Sequence, residues 1–471
     1  MSNVMKIKNG FLKKTSIYFI GTLSTKMISI LLVPIYAYFV AVNELSEYDY
    51  LITIASTISP IVFASIWEAV LKYGIKSKMD KAALFSTVLS FSFFMTLLTL
   101  TFIPVISVIK GYSEGILFTA LFVIVQGITM IWQYSARALQ ENKRYVIASV
   151  VGSVALIVID LVLVVLGKLD FYGLSISYLI SQTVIAYVLE AKIQLISLFS
   201  PAKISKRILK KLLFFSLPLV VNNVSLWLYS SGSRIIIKNM IGIMENGLYA
   251  FASKFSLIIS LISMVVSMAV IEEAYSYNTI EEYKNKMSSL ISIISKAYFG
   301  IIVLAIPALY ILYSIAFRKT GYYASVDYIF LLLLGALFTA LSNNFGSAFQ
   351  VTDNTKYIFI TTLAGAGVAL GLSLILNKFF GIYGVLIGNA VGQFVMMLIR
   401  VIYAKRTTGL TINWFGNIRI FVISCIEYAA LLALDNVVAQ ILIFVLSMIY
   451  LSFEYRKELV LIERRLLHKE Q

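Results

Sequence analysis

Apolar runs of about 20 residues follow one another along the chain, with only short polar connections between them. A helix of that length crosses the hydrocarbon core of a bilayer, which is about 30 Å thick. Because a spanning segment must satisfy its backbone hydrogen bonds internally, and the short alternating segments of a transmembrane barrel are absent, the pattern predicts an all-α polytopic membrane protein. We expect 14 spans, at 15–40, 46–72, 82–109, 114–139, 145–167, 171–198, 208–240, 247–274, 288–317, 325–349, 356–377, 382–404, 418–433 and 437–455.

The composition supports this class and excludes several kinds of site. Of the 471 residues 60% are hydrophobic and 13% charged, and the mean hydropathy is +0.90. A soluble domain is about 45–50% apolar and about 25% charged. Cys425 is the one cysteine and His468 the one histidine. No disulfide can therefore form within the chain, and neither a thiolate metal cluster nor a histidine-based metal or hydrolytic site is expected in the membrane.

The positive charge indicates topology rather than a nucleic-acid partner. The chain carries 39 Lys and Arg against 23 Asp and Glu, a net charge of +16. With the N-terminus placed in the cytoplasm, about 28 of the bases fall in or beside cytoplasmic connections and about 6 on the opposite side. The sequence thus predicts a membrane protein with both termini on the cytoplasmic side.

The chain contains an internal sequence repeat. "FYGLSISYLISQ" (171–182) recurs 211 positions later, without a gap, as "IYGVLIGNAVGQ" (382–393). Six spans separate the copies, so both enter the membrane in the same direction, which is typical of a parallel repeat. The aligned residues include Tyr172 with Tyr383, Gly173 with Gly384, and Gln182 with Gln393.

The repeat predicts two six-helix bundles around a central cleft. The N-terminal bundle would occupy residues 1–199 and the C-terminal bundle residues 200–406. Two additional helices and a cytoplasmic tail would follow in 407–471. No connection is long enough to form a separate soluble domain.

Polar side chains within the spans are the candidates for function, because a central Lys, Arg or Asp costs about 2.5–3.5 kcal/mol to insert. Bases outnumber acids at depth, which favours an anionic ligand in a cationic cleft. For bases near span ends, snorkelling to the interface is the alternative interpretation, and Asp160 could simply neutralise a lysine. The candidates are Lys26, Gln126, Asp160, Asn222, Arg234 and Lys254.

Three segments carry a resemblance to a known family. They are "STKMISILLVPI" (24–35), "SRIIIKNMIGIMENGLYAFASKFS" (233–256) and "LNKFFGIYGVLIGNAVGQ" (376–393). The chain resembles the polysaccharide (Wzx-type, O-antigen or capsule repeat-unit) flippases of the multidrug/oligosaccharidyl-lipid/polysaccharide exporter superfamily. Many relatives place an acidic residue before the arginine of the second segment. Here that residue is Ser233, so no local acidic partner of Arg234 is expected.

The resemblance implies a flippase rather than an enzyme. Its substrate would be a polyprenyl-pyrophosphate-linked oligosaccharide repeat unit for surface polysaccharide synthesis, moved by alternating access. Lys26 and Lys254 match positions of cavity bases in relatives, so we expect them to bind the pyrophosphate from opposite halves, with Arg234 third. Asn222 and Gln126 complete the predicted substrate site, and other polysaccharide-assembly proteins are conceivable partners.

No cofactor is expected, and the energy source follows from what the sequence lacks. There is no Walker-type glycine-lysine loop, so we expect coupling to a proton or sodium gradient, with Asp160 as the ion-coupling acid. Two alternatives stay open. A cation-coupled drug exporter would prefer cavity carboxylates, and a polymerase or glycosyltransferase would need larger loops.

Overall fold

Helices make up nearly all of the described part of the chain in a computed structural model. The structure describes residues 32–76, 80–110, 114–277, 279–352, 354, 356–412, 414–434 and 436–456. No strand occurs among them, which confirms the predicted all-α class. Two compact units, Met1–Ala250 and Phe251–Gln471, divide the chain. The predicted bundle boundaries at residues 199 and 406 stay a prediction.

The helices of the first unit are mostly long. They are α1 Val33–Phe39, α2 Val42–Val62, α3 Ile66–Lys76, α4 Lys81–Lys110, α5 Glu114–Ala138, α6 Asn142–Asp160, α7 Asp170–Ile193 and α8 Lys206–Ile236, and α9 Ile243–Ser276 begins there. Short π-helical segments extend α6 over Leu161–Leu166 and α8 over Ile237–Ile241.

The second unit continues from α9 with seven further helices. They are α10 Ile280–Leu312, α11 Ile329–Phe345, α12 Ser347–Val351, α13 Lys356–Phe380, α14 Ile382–Thr408, α15 Trp414–Ala433 and α16 Val437–Glu454. A π-helical segment, Tyr313–Phe317, extends α10, and a 3-10 turn, Tyr323–Tyr328, precedes α11.

Most of these helices can cross a membrane. Among the described residues 11 are long and apolar enough, or up to 12 if the bent pair α2–α3 counts as one span. The protein is thus a multi-pass membrane protein. Most of predicted span 15–40 lies outside the described residues, as do the side chains of 221–230 in α8.

The predicted span 46–72 is not one straight helix. Helix α2 ends at Val62 and α3 starts at Ile66, at an angle of 56°. Ala64 and Ser65 have positive φ angles of 49° and 45°. The break buries the Phe63 ring completely against Gly127 of α5, where even a Cβ atom would come within 2.3 Å of it. An apolar pattern continues through such a break, so the sequence did not reveal it.

The predicted span 171–198 also ends early. Helix α7 stops at Ile193, and Gln194 takes a left-handed conformation with φ 50°. The Glu190 carboxylate then accepts hydrogen bonds from the backbone amides of Leu195 and Ile196, at 3.1 and 2.9 Å. This charged acceptor satisfies amides that the helix no longer pairs.

The connection after α7 is fixed to the start of α4. The Ser200 amide donates to Ser86 Oγ at 2.9 Å, and the Ser205 amide donates to Thr87 Oγ1 at 3.2 Å. Lys203 Nζ lies 3.0 Å from Asp80 Oδ2, and this hydrogen bond lowers the pKa of the exposed Asp80 carboxyl.

The sequence repeat encodes the same helix pairing in each unit. Its first copy starts α7, which packs on α6 and the π-helical segment, and its second copy starts α14, which packs on α13. A Cβ atom on Gly173 would lie 2.9 Å from the Val164 side chain, and one on Gly384 would lie 2.3 Å from the Leu376 carbonyl oxygen. Both glycines therefore allow two helices to approach within backbone contact.

The close approach at Gly384 predicts a stability effect. Gly384→Ala should destabilise the purified protein by about 1–3 kcal/mol, because the new methyl group overlaps the Leu376 carbonyl. Thermal unfolding in detergent measures this. Gly371→Ala on α13 is the matched control, since a Cβ atom there meets nothing within 4 Å. Equal unfolding temperatures for the two variants would contradict the packing argument.

Candidate functional site

A polar cavity lies within the first unit, between helices α2, α5, α6 and α7. Its volume is about 380 Å³. Amide, hydroxyl and phenol groups provide most of its polar lining, and no lining residue carries a charge. The lining residues are Ser56, Gln126, Thr129, Met130, Gln133, Tyr145, Ser149, Ser153, Tyr178, Gln182 and Ile185.

Helical spacing places the polar groups of α5 on this cavity. Gln126, Thr129 and Gln133 recur at intervals of three and four residues and so share one face. Gln126 Nε2 donates to the Tyr178 hydroxyl at 2.7 Å, and the Thr129 hydroxyl donates to the Gln182 carbonyl at 3.1 Å. These two bonds join α5 to α7 along one wall.

Close packing of α6 on α7 forms the opposite wall. The Ser181 hydroxyl donates to the Gly152 carbonyl at 2.7 Å, and a Cβ atom on Gly152 would come within 2.2 Å of Ile185. Ser149 and Ser153 bond to carbonyls four residues earlier in α6, at 2.9 Å each. Their hydroxyl oxygens remain acceptors for a ligand.

Aromatic rings pack beside the cavity. The Tyr178 ring meets Phe122 edge-on at 5.1 Å and Tyr48 at 6.5 Å between ring centroids. These contacts fix the ring whose hydroxyl accepts from Gln126. Tyr178 was not among the predicted site residues, although it lies in the repeated motif.

Arg234 has an acidic partner that the sequence did not suggest. Its Nη1 atom lies 3.0 Å from Asp49 Oδ1 and 3.0 Å from Thr53 Oγ1. Asp49 and Thr53 lie one turn apart on α2, whereas the expected position of the acid, residue 233, is a serine. One turn before Asp49, Asn246 Nδ2 donates to Ser46 Oγ at 3.0 Å. The ion pair offsets the positive charge that Arg234 would offer to an anion.

Asp160 is fully buried, where α6 passes into its π-helical segment. The Tyr36 hydroxyl of α1 donates to Asp160 Oδ2 at 3.3 Å. The sequence suggested a lysine as its partner. That pairing stays a prediction, since Lys26 lies outside the described residues. π-helical insertions of this kind are frequent at functional sites.

The other predicted residues are placed only in part. Lys26 lies outside the described residues, and for Asn222 only the helical backbone in α8 is described. Lys254 lies on α9 in the second unit and is partly exposed. The expected meeting of Lys26 and Lys254 on one ligand stays a prediction. Gln126, Asp160 and Arg234 all fall within the first unit, and each contacts different partners.

Some residues of the site were missed although the sequence contained a signal. Gln182 lines the cavity and is the last residue of the repeated motif. Its counterpart, Gln393, is directed instead at Gly335 of α11, where a Cβ atom would lie 2.2 Å from its Oε1 atom. The repeat therefore preserves the glutamine but not its surroundings.

Comparison with known proteins identifies the fold. No protein-family model and no curated protein matches the chain. Among solved structures, the lipid II flippase MurJ in an inward closed conformation is 16% identical with a TM-score of 0.70, covering 94% of this chain and 100% of that one. An inward-facing multidrug resistance MATE family transporter of the MOP superfamily is 16% identical with a TM-score of 0.62, covering 82% and 94%.

A further MATE structure, in the straight conformation, is 15% identical with a TM-score of 0.54, covering 84% of this chain and 95% of that one. The chain thus has the fold of MOP-superfamily transporters. At these identities the likeness establishes the fold alone.

Proposed function

We propose that the protein is a flippase for polyprenyl-pyrophosphate-linked oligosaccharide repeat units in the cytoplasmic membrane of a bacterium. The observation that carries this proposal is the cavity in the first unit. Its lining offers amides, hydroxyls and phenols at membrane depth without a charged side chain. Such groups match the hydroxyl-rich surface of a glycan, since each can donate or accept a hydrogen bond.

The fold gives independent support for a lipid-linked substrate. One solved structure with this fold is described as a lipid II flippase. Lys26 and Lys254 would bind the pyrophosphate, which agrees with the excess of basic residues in the sequence. Arg234 ranks below them because Asp49 already engages it. Asn222 would lie on α8, between the basic residues at 206–211 and Arg234.

The drug-exporter alternative is kept because another structure with this fold is a multidrug resistance transporter. An organic cation would be favoured by a carboxylate, and the lining of the described cavity contains none. The glycan interpretation therefore agrees better with the cavity.

Transport by the purified protein in liposomes tests the proposal directly. A lipid-linked oligosaccharide should reach the opposite leaflet, and an organic cation should not cross faster than in protein-free liposomes. Gln126→Leu should slow glycan transport about tenfold, which corresponds to losing one hydrogen bond of about 1.4 kcal/mol. Thr183→Val, an exposed site on α7, is the control and should transport normally. Cation transport without glycan transport would overturn the proposal.

The predicted pyrophosphate site makes a second, separate test. Lys26→Ala and Lys254→Ala should each abolish transport while leaving insertion in the membrane intact. Lys→Arg at either position should retain part of the activity, because positive charge matters more than shape for a mobile pyrophosphate. Export at the parental rate by both alanine variants, at normal expression, would exclude a cationic site at these positions.

We also propose Asp160 as the acid that couples transport to an ion gradient. Asp160 is a fully buried ionisable side chain, and the Tyr36 hydroxyl donates a hydrogen bond to it. Asp160→Asn should remove the dependence of transport on an imposed proton or sodium gradient, while Tyr36→Phe should weaken it. An unchanged transport rate of the parental protein after collapse of both the proton and the sodium gradient would contradict this proposal.

A further inference from the structure

The last two helices, α15 and α16, bury polar side chains and expose apolar ones. On α15 the exposed side chains include Ile418, Val422 and Ile426. Buried positions on α15 recur at intervals of three and four residues, as expected of one helix face. Those buried positions are Asn417, Ile420, Ser424, Glu427 and Leu431 on α15, and Gln440, Ser447 and Leu451 on α16.

Glu427 is the one acid in this buried set, and it plays no part in the candidate site. It is 7% exposed. Its Oε1 atom is hydrogen-bonded to the Ser447 hydroxyl of α16. Its Oε2 atom is buried and has no hydrogen-bond partner among the residues that the structure describes. A carboxylate needs several donors at membrane depth, so this environment suits a neutral acid better than an ion.

The hydrogens available at Ser447 lead to the same conclusion. Its Oγ atom also lies 2.7 Å from the Ile443 carbonyl oxygen. A hydroxyl has one hydrogen to donate, so an ionised Glu427 and the Ile443 carbonyl would compete for it. A protonated Glu427 donates to Ser447 Oγ, and Ser447 in turn donates to Ile443. Only the protonated form satisfies both contacts.

The charged groups near this hairpin belong to another cluster. Helix α15 packs mainly on α10 and makes a smaller contact with α16. Lys296 of α10 lies 3.4 Å from Glu454 of α16, and Arg419 of α15 bonds to the other oxygen of Glu454. Arg419 precedes Glu427 by eight residues, about 12 Å along a helix. This cluster therefore holds the end of the hairpin at Glu454 and is already centred on its own carboxylate.

The remaining titratable groups on these helices are mostly tyrosines. Tyr428, next to Glu427, donates to the Asp327 carbonyl at 3.0 Å, and Tyr310 donates to Asp327 Oδ1 at 3.4 Å. The other titratable groups are Cys425 on α15, Tyr298 on α10, Tyr450 on α16 and the titratable residues within 281–286, in the first turns of α10.

We propose that Glu427 is an intramembrane proton-binding site of the α15–α16 hairpin. The hairpin holds the carboxyl neutral, and loss of the proton loosens the contact between Glu427 and Ser447. The proposal is independent of what the protein transports. The direction of the pH dependence follows from this. Because the folded hairpin prefers the protonated acid, the stability of the protein should fall as the pH rises and the proton leaves.

Two measurements on the full-length protein in detergent test the site. A hydrophobic carbodiimide reacts with protonated carboxyls, so peptide mass spectrometry should find Glu427 labelled at neutral pH. Once the acid ionises, labelling should fall about tenfold per pH unit. Absence of label at Glu427 under mildly acidic conditions, in protein that is folded, would overturn the proposal.

Thermal unfolding gives the second measurement. Glu427→Gln copies the neutral acid, so its advantage in unfolding temperature over the parental protein should grow as the pH rises. Glu454→Gln is the matched control, because it removes an ion-paired acid from the same hairpin and should leave the pH dependence due to Glu427 in place. A pH-independent difference between Glu427→Gln and the parental protein would also overturn the proposal.

Discussion

The absence of water in the bilayer core is the constraint on which this structure depends. A polar group placed there is costly unless it finds a partner within the protein. In the first unit the partners join distant segments: Arg234 with Asp49, Tyr36 with Asp160, and Gln126 with Tyr178. Each bond fixes the relation between two helices and places polar chemistry at membrane depth. The cavity, the ion pair and the buried acid are therefore products of one requirement.

Close helix approach makes those partners reachable. Within hydrocarbon, helices gain little from apolar burial against each other, so they pack through small residues. Gly152 and Gly173 bring α6 against α7, and Gly384 brings α14 against α13. The first of these pairings forms one wall of the polar cavity. The same repeat thus serves packing in both units and a site in one of them.

The acids of the α15–α16 hairpin differ in their surroundings. Glu454 lies between Lys296 and Arg419 and stabilises the hairpin as an ion. Glu427 has the hydroxyl of Ser447 beside it instead. An acid held by cations keeps its charge, whereas one held by neutral donors can exchange a proton. This distinction separates the structural carboxylate of Glu454 from the proton-binding site that we propose at Glu427.

The sequence alone determined the all-α class and most helix positions, because apolar length is a local property that the bilayer thickness fixes. It also identified the repeat and pointed to Gln126, Asp160 and Arg234 as polar residues in spans. It did not reveal the break at Ala64 and Ser65, the early end of α7, or the partners Asp49, Tyr36 and Tyr178. Those depend on which helix faces meet, and a partner 52 or more residues away leaves no local pattern. Only the tertiary structure decided that Gln182 lines a cavity while Gln393 packs on a glycine, because the neighbouring helix, not the motif, supplies each glutamine's surroundings.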